Sequence, residues 1–313
     1  MPQQSLSQVR VIDPILTEVA RGYTSQKAAV ADALFPVVSV NTRAGRILKF
    51  DADSFKLVTT ARAPGSNTKR IGYGYGSDPF ALVDHRLEGT VPRELQEEAS
   101  NGPGIDLAAN AVRRVQDMMA LEREKQAADL ARDPSKYAAS NKVTLSGTSQ
   151  WSNTASNPFT DIIAAAEAIR AQIGEYPNVM AIGPAALAAL RTHAKVLDRM
   201  STATDRPPAT MAQLANLFEI PNIVVGRAIY QNTAGALVDV WGKDVILGFT
   251  TPKSAQDMGS PSYGYTYRLE GRPWVEEGYY EPNPATWNYP VSDAYQPVLA
   301  GPSAGFLITN AVA

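Results

Sequence analysis

Cysteine is absent from the 313 residues of this chain, and histidine occurs only twice, at His85 and His193. The lack of cysteine excludes disulfides, cysteine-ligated zinc, iron–sulfur clusters and thiol nucleophiles. Two histidines are too few for a histidine-rich metal site. We therefore expect no metal site and no cofactor.

An excess of one charge is also missing, because 29 Lys and Arg residues stand against 31 Asp and Glu residues. This balance excludes a generally basic nucleic-acid-binding protein and an acidic tail protein. No apolar run approaches the roughly 20 residues that cross a bilayer. The first residues, MPQQSLSQVRVIDPILTEVARGY, lack the basic and then apolar order of a signal peptide. We expect a soluble protein with a substantial core and no membrane partner.

The first part of the chain predicts an arm and a long hairpin. Residues 1–40 are weakly patterned, and we expect an irregular arm with one short helix near residues 25–34. The stretch GRILKFDADSFKLVTT favours a strand, ARAPGSNTKR favours turns, and a second extended stretch begins at IGYGYG. An isolated two-stranded hairpin is marginal in water. This one must therefore pack on its own body or on a neighbour.

The strongest pattern lies between residues 104 and 132, where no proline or glycine interrupts the interior. Apolar residues, among them Val112, Val115 and Met119, recur every three or four positions, which indicates a helix. Asp133 and Pro134 end it. Such a helix would be roughly 43 Å long. Its polar middle, LEREKQ, predicts a half-exposed helix along a surface.

A compact α/β region is expected after a polar connector at residues 134–158. Its first helix would be capped by Thr160 or Asp161 and end at Gly174. Further helices are expected from Pro184 and near residues 210–216. Strands are expected at residues 178–182, 223–225, 236–240, 245–249 and 306–309.

One motif resembles catalytic chemistry. Gly301-Pro-Ser303-Ala-Gly305 matches the G-x-S-x-G nucleophile elbow, which needs an acid and a histidine later in the chain. Neither follows Gly305. Each histidine is interpreted as a surface or structural residue. We therefore expect no catalytic residue and no enzymatic activity.

Charge is unevenly distributed along the chain. Residues 41–70 contain seven basic and two acidic residues, whereas residues 271–313 contain one basic and four acidic residues. One interpretation is a solvated hairpin. The other is complementarity between the hairpin of one copy and the acidic end of the next. The candidate contact residues between subunits are Arg62, Lys69, Arg70, Glu276 and Glu277.

This order of segments resembles the HK97-fold major capsid protein of tailed bacteriophages. The basic hairpin GRILKF…TKRIGYGYG, the helix GIDLAANAVRRVQDMMALEREKQAADLAR and the stretch from PFTDIIAAAEAI to VWGKDVILGF carry the resemblance. It implies an α+β fold with five segments. They are an N-terminal arm (1–40), an extended two-stranded E-loop (41–92), a P domain with a spine helix (93–158), an A domain (159–250) and strands returning to the P domain (251–313).

The resemblance also implies a function without catalysis. Copies of the chain would form the hexamers and pentamers of an icosahedral head shell around phage DNA, which is bound without sequence specificity. Scaffolding, portal and decoration proteins are further implied partners. The location would be the virion, after synthesis in the host cytoplasm. The alternatives are an encapsulin-like protein compartment, which shares the fold, and an α/β enzyme with a carboxylate-based site.

Overall fold

The computed structural model of the chain describes residues 12–22, 29–49, 57, 60–61, 70, 76–101, 106–200, 207–251 and 261–313. Its helices are α1 (Pro14–Gly22), α2 (Ala29–Leu34), α3 (Arg93–Asn101), α4 (Leu107–Ala131), α5 (Pro158–Ile173), α6 (Pro184–Thr192), α7 (Ala194–Met200) and α8 (Met211–Phe218). Its strands are β1 (Val37–Val40), β2 (Ala44–Lys49), β3 (Gly76–Ala81), β4 (Val83–Pro92), β5 (Lys142–Thr144), β6 (Val179–Ile182), β7 (Asn222–Val225), β8 (Ile229–Gln231), β9 (Leu237–Asp239), β10 (Val245–Gly248), β11 (Gly264–Leu269), β12 (Trp274–Val275), β13 (Tyr279–Glu281), β14 (Thr286–Leu299) and β15 (Gly305–Thr309).

A six-stranded sheet is organised around β14, the longest of the described strands. Strand β4 pairs antiparallel with one edge of β14, and β13, β12 and β11 pair in turn with the other edge. Strand β1 then pairs parallel with β11. Helices α1 and α4 cover this sheet, and Val112 and Val115 of α4 share a core with Tyr289 and Val291 of β14.

Helix α4 confirms the long helix expected from the sequence, although residues 102–105 lie outside the described part. Asp106 caps it, because its Oδ1 accepts a hydrogen bond from the backbone N–H of Ala109 at 2.9 Å. Its 25 residues span about 38 Å. The expected half-exposed helix is confirmed, with Glu122 exposed, but two residues of its polar middle are buried, since Arg123 and Glu124 are only 8% and 1% exposed. Helix α2 and Trp241 pack over that turn.

A five-stranded sheet in the order β5-β15-β10-β6-β7 forms the second layer. Strands β6 and β10 are buried at every position, and helices α5, α6 and α8 contribute Ile162, Leu190 and Leu214 to the same core. The expected strands are confirmed to within two residues. The final strand β15 lies between β10 and β5. Residues 305–309 therefore join this sheet, whereas β11 to β14 join the six-stranded one.

Helix α5 begins earlier than the sequence suggested. We expected Thr160 or Asp161 as its cap, but the helix starts at Pro158 and Asn157 precedes it. Proline fits the first turn of a helix because its missing N–H has no partner to lose there. The carboxylate of Asp161 instead accepts a hydrogen bond from Trp151 Nε1 at 2.9 Å. The predicted end is confirmed, since Gly174 adopts a left-handed conformation with φ 79°.

The N-terminal arm is more regular than expected. Helix α2 confirms the short helix near residues 25–34, whereas α1 and β1 were not expected. Asp13 Oδ1 accepts a hydrogen bond from the backbone N–H of Leu16 at 3.0 Å, and Pro14 occupies the first turn of α1. Leu34 and Phe35 are fully buried in the core of the five-stranded sheet. The described part of the arm is thus anchored on its own chain.

Strands β2 and β3 confirm the root of the predicted hairpin. They pair antiparallel from Ala44 opposite Ala81 to Lys49 opposite Gly76. At this root Phe80 stacks on Tyr267 with ring centroids 4.4 Å apart. Most of the expected tip lies outside the described residues. A second hairpin, formed by β8 and β9, also stands apart from both larger sheets.

Within the described ranges, no helix is both long enough and apolar enough to cross a membrane. The same residues contain no cluster of three or more histidine, cysteine, aspartate or glutamate side chains that could hold a metal ion.

Candidate assembly surfaces

Ser303, the serine of the G-x-S-x-G motif, is not placed as the partner of either histidine. Ser303 lies in a short 3-10 turn, and its carbonyl oxygen accepts a hydrogen bond from Asn141 Nδ2 at 3.4 Å. His193 is the residue between α6 and α7, and its Nε2 lies 3.2 Å from Ser156 Oγ. His85 stacks on Tyr295 with centroids 4.1 Å apart. Both histidines therefore serve the packing of other regions.

The candidate acidic surface lies beside the edge strand β4. Glu276 pairs with Arg86 of the same chain, with Arg86 Nη2 and Glu276 Oε2 separated by 3.0 Å. Glu277 is exposed. On the basic side Arg70 is exposed, whereas Arg62 and Lys69 lie outside the described residues. The structure thus shows an intrachain partner for Glu276 and leaves Glu277 and Arg70 on the surface.

A cluster of buried polar contacts, which we call the buried joint, connects the N-terminal arm, helix α4 and the region of the five-stranded sheet. Glu124 of α4 accepts two hydrogen bonds, from the backbone N–H of Ala31 at 2.8 Å and from Trp241 Nε1 at 2.6 Å. Next to it Arg123 Nη2 donates to Asp32 Oδ1 at 2.8 Å. Burial raises the pKa of Glu124 from 4.5 to about 7, although the two hydrogen bonds oppose that shift.

Sequence reasoning missed this joint, although a signal was present. Ala127, Ala128 and Ala131 follow Glu124 at spacings of three, four and seven, so all four residues share one helix face. The face is buried along its whole length in the structure. A charged residue on a stripe of alanines indicates a buried polar contact rather than a solvated turn.

A second joint fixes the end of α4 against the five-stranded sheet. Arg132 Nε donates to Asp244 Oδ2 at 2.6 Å, and its Nη1 donates to the carbonyl of Val240 at 2.8 Å. The other oxygen of Asp244 accepts from the N–H of Asn310 at 3.0 Å. Gly242 has φ +54°, and a Cβ there would lie 2.8 Å from Arg132 Nη2. A side chain at position 242 would therefore be strained and would push the Arg132 guanidinium out of this joint.

The comparisons with known proteins agree with this architecture. Residues 136–302 match the family model described as phage major capsid protein E. The major capsid protein of Burkholderia phage BcepMu is 36% identical over 314 residues, which cover 97% of this chain and 98% of that protein. This chain belongs to the phage major capsid protein E family.

Two solved structures extend the comparison. A phage-related protein from Bordetella bronchiseptica RB50 is 42% identical with a TM-score of 0.80, covering 96% of this chain and 98% of that one. An encapsulin complex from Synechococcus elongatus PCC 7942 is 12% identical with a TM-score of 0.53, covering 99% and 96%. The second likeness concerns the fold alone. The HK97-like α+β fold and the capsid family expected from the sequence are confirmed. This is a family of structural proteins.

Proposed function

We propose that this chain is the major structural subunit of a phage head and that its copies close into an icosahedral shell around phage DNA. The 36% identity to the BcepMu capsid protein carries the proposal, because it extends over 97% of this chain. An identity of this extent covers the arm, the hairpin and both sheets together. The encapsulin likeness supports the same fold but offers no comparable sequence relationship.

The two sheets support a division of the subunit into separate domains. We assign the arm to residues 1–40, the E-loop to 41–92, the P domain to 93–158, the A domain to 159–250 and the returning strands to 251–313. Helix α4 and strands β11 to β14 would form the P domain, and strands β6, β7 and β10 the A domain. Strands β1 of the arm and β4 of the E-loop pair into the first of these sheets, and β5 and β15 pair into the second, so both sheets combine strands from several segments.

The partners follow from the same assignment. The chief partner is the chain itself, in hexamers and pentamers, and scaffolding, portal and decoration proteins would act with it. Packaged DNA would be enclosed without sequence specificity, and the formal net charge of −2 offers no excess of cations that would bind its phosphates strongly. We place the protein in the virion after synthesis in the host cytoplasm, and we assign it no catalytic role.

One charged contact between subunits is part of the proposal. The basic hairpin tip, with Arg62, Lys69 and Arg70, would reach the acidic C-terminal segment of a neighbouring copy. Glu277 is the stronger acidic candidate, because Glu276 already pairs with Arg86 of its own chain. Surface ion pairs contribute only about 0–1 kcal/mol each. A shell repeats the contact in every copy, so small contributions accumulate.

The proposed function is tested by measuring what purified particles contain. Particles from cells that produce the phage would be treated with nuclease, opened by heat and assayed for DNA and for protein other than the shell. We expect long DNA that survives nuclease in closed particles and is degraded in particles opened before treatment. Closed particles that hold only foreign protein would favour the compartment alternative. A monodisperse 33.6 kDa species with turnover would favour an enzyme.

A further inference from the structure

A polar cavity of about 460 Å³ lies between the N-terminal arm, helix α4 and the six-stranded sheet. A volume of this size is typical of small-molecule sites. Arg21 of α1, Arg123 of α4 and Arg268 of β11 contribute positive charge to its lining, and Asp32 and Asp293 contribute negative charge. The fold therefore brings three arginines from distant parts of the chain to one cavity.

Two of these arginines are buried but have few protein partners. Arg123 is 8% exposed, and its Nη2 donates to Asp32 Oδ1 at 2.8 Å. Arg268 is half-buried, and its Nη2 donates to Asp293 Oδ2 at 2.7 Å. A guanidinium carries five N–H donors. Within the described residues each of these two donates this one hydrogen bond, and both Nε atoms are buried without a partner. Buried charged donors of this kind require further acceptors.

Gln116 of α4 adds an acceptor to the same lining. Its Nε2 donates to the carbonyl of Ala20 at 2.8 Å, which fixes the orientation of the amide. Its Oε1 is buried and accepts no hydrogen bond from the described residues. A ligand that satisfies this cavity must therefore bring oxygen acceptors for the guanidinium groups and one O–H donor for the amide oxygen.

The charge of the lining favours an anion over water. Its three arginines exceed its two aspartates by one positive charge. The excess belongs to Arg21, whose hydrogen bonds go to the uncharged carbonyl groups of Pro273 at 3.3 Å and Gly271 at 2.5 Å. Glu124 accepts its hydrogen bonds in the buried joint and does not line the cavity. Water would satisfy the unpartnered groups, whereas an anion would also balance the charge.

We propose that this cavity binds a small oxyanion that carries a hydroxyl group, such as hydrogenphosphate. Arg123 and Arg268 donate to its oxygens, and Gln116 accepts from its hydroxyl group. Arg21 supplies the balancing charge. The bound anion links the arm, helix α4 and the six-stranded sheet, so it stabilises the arm on the body of the subunit. The site lies within one chain, and it does not depend on the proposed shell function.

Binding is tested by equilibrium dialysis of the purified full-length protein against radiolabelled inorganic phosphate at neutral pH. We expect saturable binding of about one phosphate per subunit. Arg268→Gln should weaken it by about tenfold or more, the loss expected for one charged hydrogen bond. Arg227→Gln is the matched control, because Arg227 is exposed and does not line the cavity, and it should bind phosphate as the wild type does.

Competition identifies the chemistry of the ligand. Sulfate has no O–H at neutral pH, so it should displace the label less well than phosphate, and chloride at the same ionic strength should not displace it. Gln116→Met should narrow the difference between phosphate and sulfate. An oligonucleotide with a 5′-phosphate should displace the label if DNA ends supply the ligand, and its failure to do so would identify free phosphate as the source.

The melting temperature provides a second readout on the same protein. It should rise with phosphate concentration at constant ionic strength, because a ligand that binds only the folded state stabilises it. Circular dichroism would establish that each variant is folded. If Arg268→Gln misfolds, the phosphate-to-sulfate preference of the wild type and of Gln116→Met decides. Absence of saturable phosphate binding to the wild type, or equal displacement by sulfate, would overturn the inference.

Discussion

Replacing Glu124 by glutamine should remove a specific pH dependence from the stability of the subunit. Glu124 is 1% exposed, and burial raises its pKa from 4.5 to about 7. A folded-state pKa above the unfolded value means that the folded protein holds this proton more tightly. The resulting stabilisation is complete below pH 4.5 and is lost as the pH rises through 7. The difference corresponds to ~3 kcal/mol.

The assay is the melting temperature of the wild type and of Glu124→Gln between pH 4.5 and 8. We expect the wild type to lose more stability than the variant over this range, by a few kcal/mol at most. Asp129→Asn is the matched control, because Asp129 lies on the same helix with a side chain 62% exposed and pairs with a lysine, Lys125. It should follow the wild type. Parallel curves for the wild type and Glu124→Gln would refute the assignment of a buried titrating carboxyl.

Three further predictions concern the helix, the hairpin and Ser303. Val115→Pro should cost about 3 kcal/mol or more, because proline removes a helical hydrogen bond and clashes; an unchanged melting temperature would refute a continuous helix at this buried residue. Lys69→Glu with Arg70→Glu should leave circular dichroism unchanged and impair shell formation, and high salt should weaken wild-type association. Normal shells at wild-type yield would mean that the hairpin tip is solvated and makes no contact between subunits. An unfolded subunit would instead indicate that the hairpin packs on its own body. Ser303 should not react with a fluorophosphonate probe, since both histidines have other partners; labelling in the folded protein would contradict this.

Local patterns were sufficient for most of the regular elements. The long helix was predictable because its apolar spacing is uninterrupted and Asp133-Pro134 stops it. The end of α5 was predictable because Gly174 can adopt the left-handed conformation at low cost. These features depend on residues close together in the chain.

Features that depend on distant residues were missed. Arg123 and Glu124 look solvated in sequence, and only the packing of α2 and Trp241 buries them. The placement of β15 between β10 and β5 is equally non-local, since its neighbours begin 60 or more residues earlier. Helix α1 was also missed, although its signal is local, since Leu16, Val19 and Ala20 recur at helical spacing and Asp13 and Pro14 form a recognisable start.

Among the candidate contact residues, sequence reasoning identified the charge and not the partner. Glu276 and Glu277 are adjacent in the chain, but only the fold places Arg86 of β4 beside Glu276. Likewise, no sequence motif marks the β8–β9 hairpin, and only the fold shows that Tyr230 faces the body and Leu237 the solvent.

Shell formation is tested most directly by negative-stain electron microscopy of the purified protein. Copies of the 33.6 kDa chain should appear as closed particles of uniform size with icosahedral outlines. The same sample should sediment far faster than a single subunit. A folded protein that remains a single subunit across protein concentrations, salt concentrations and pH values, with no particles in the images, would contradict a capsid subunit.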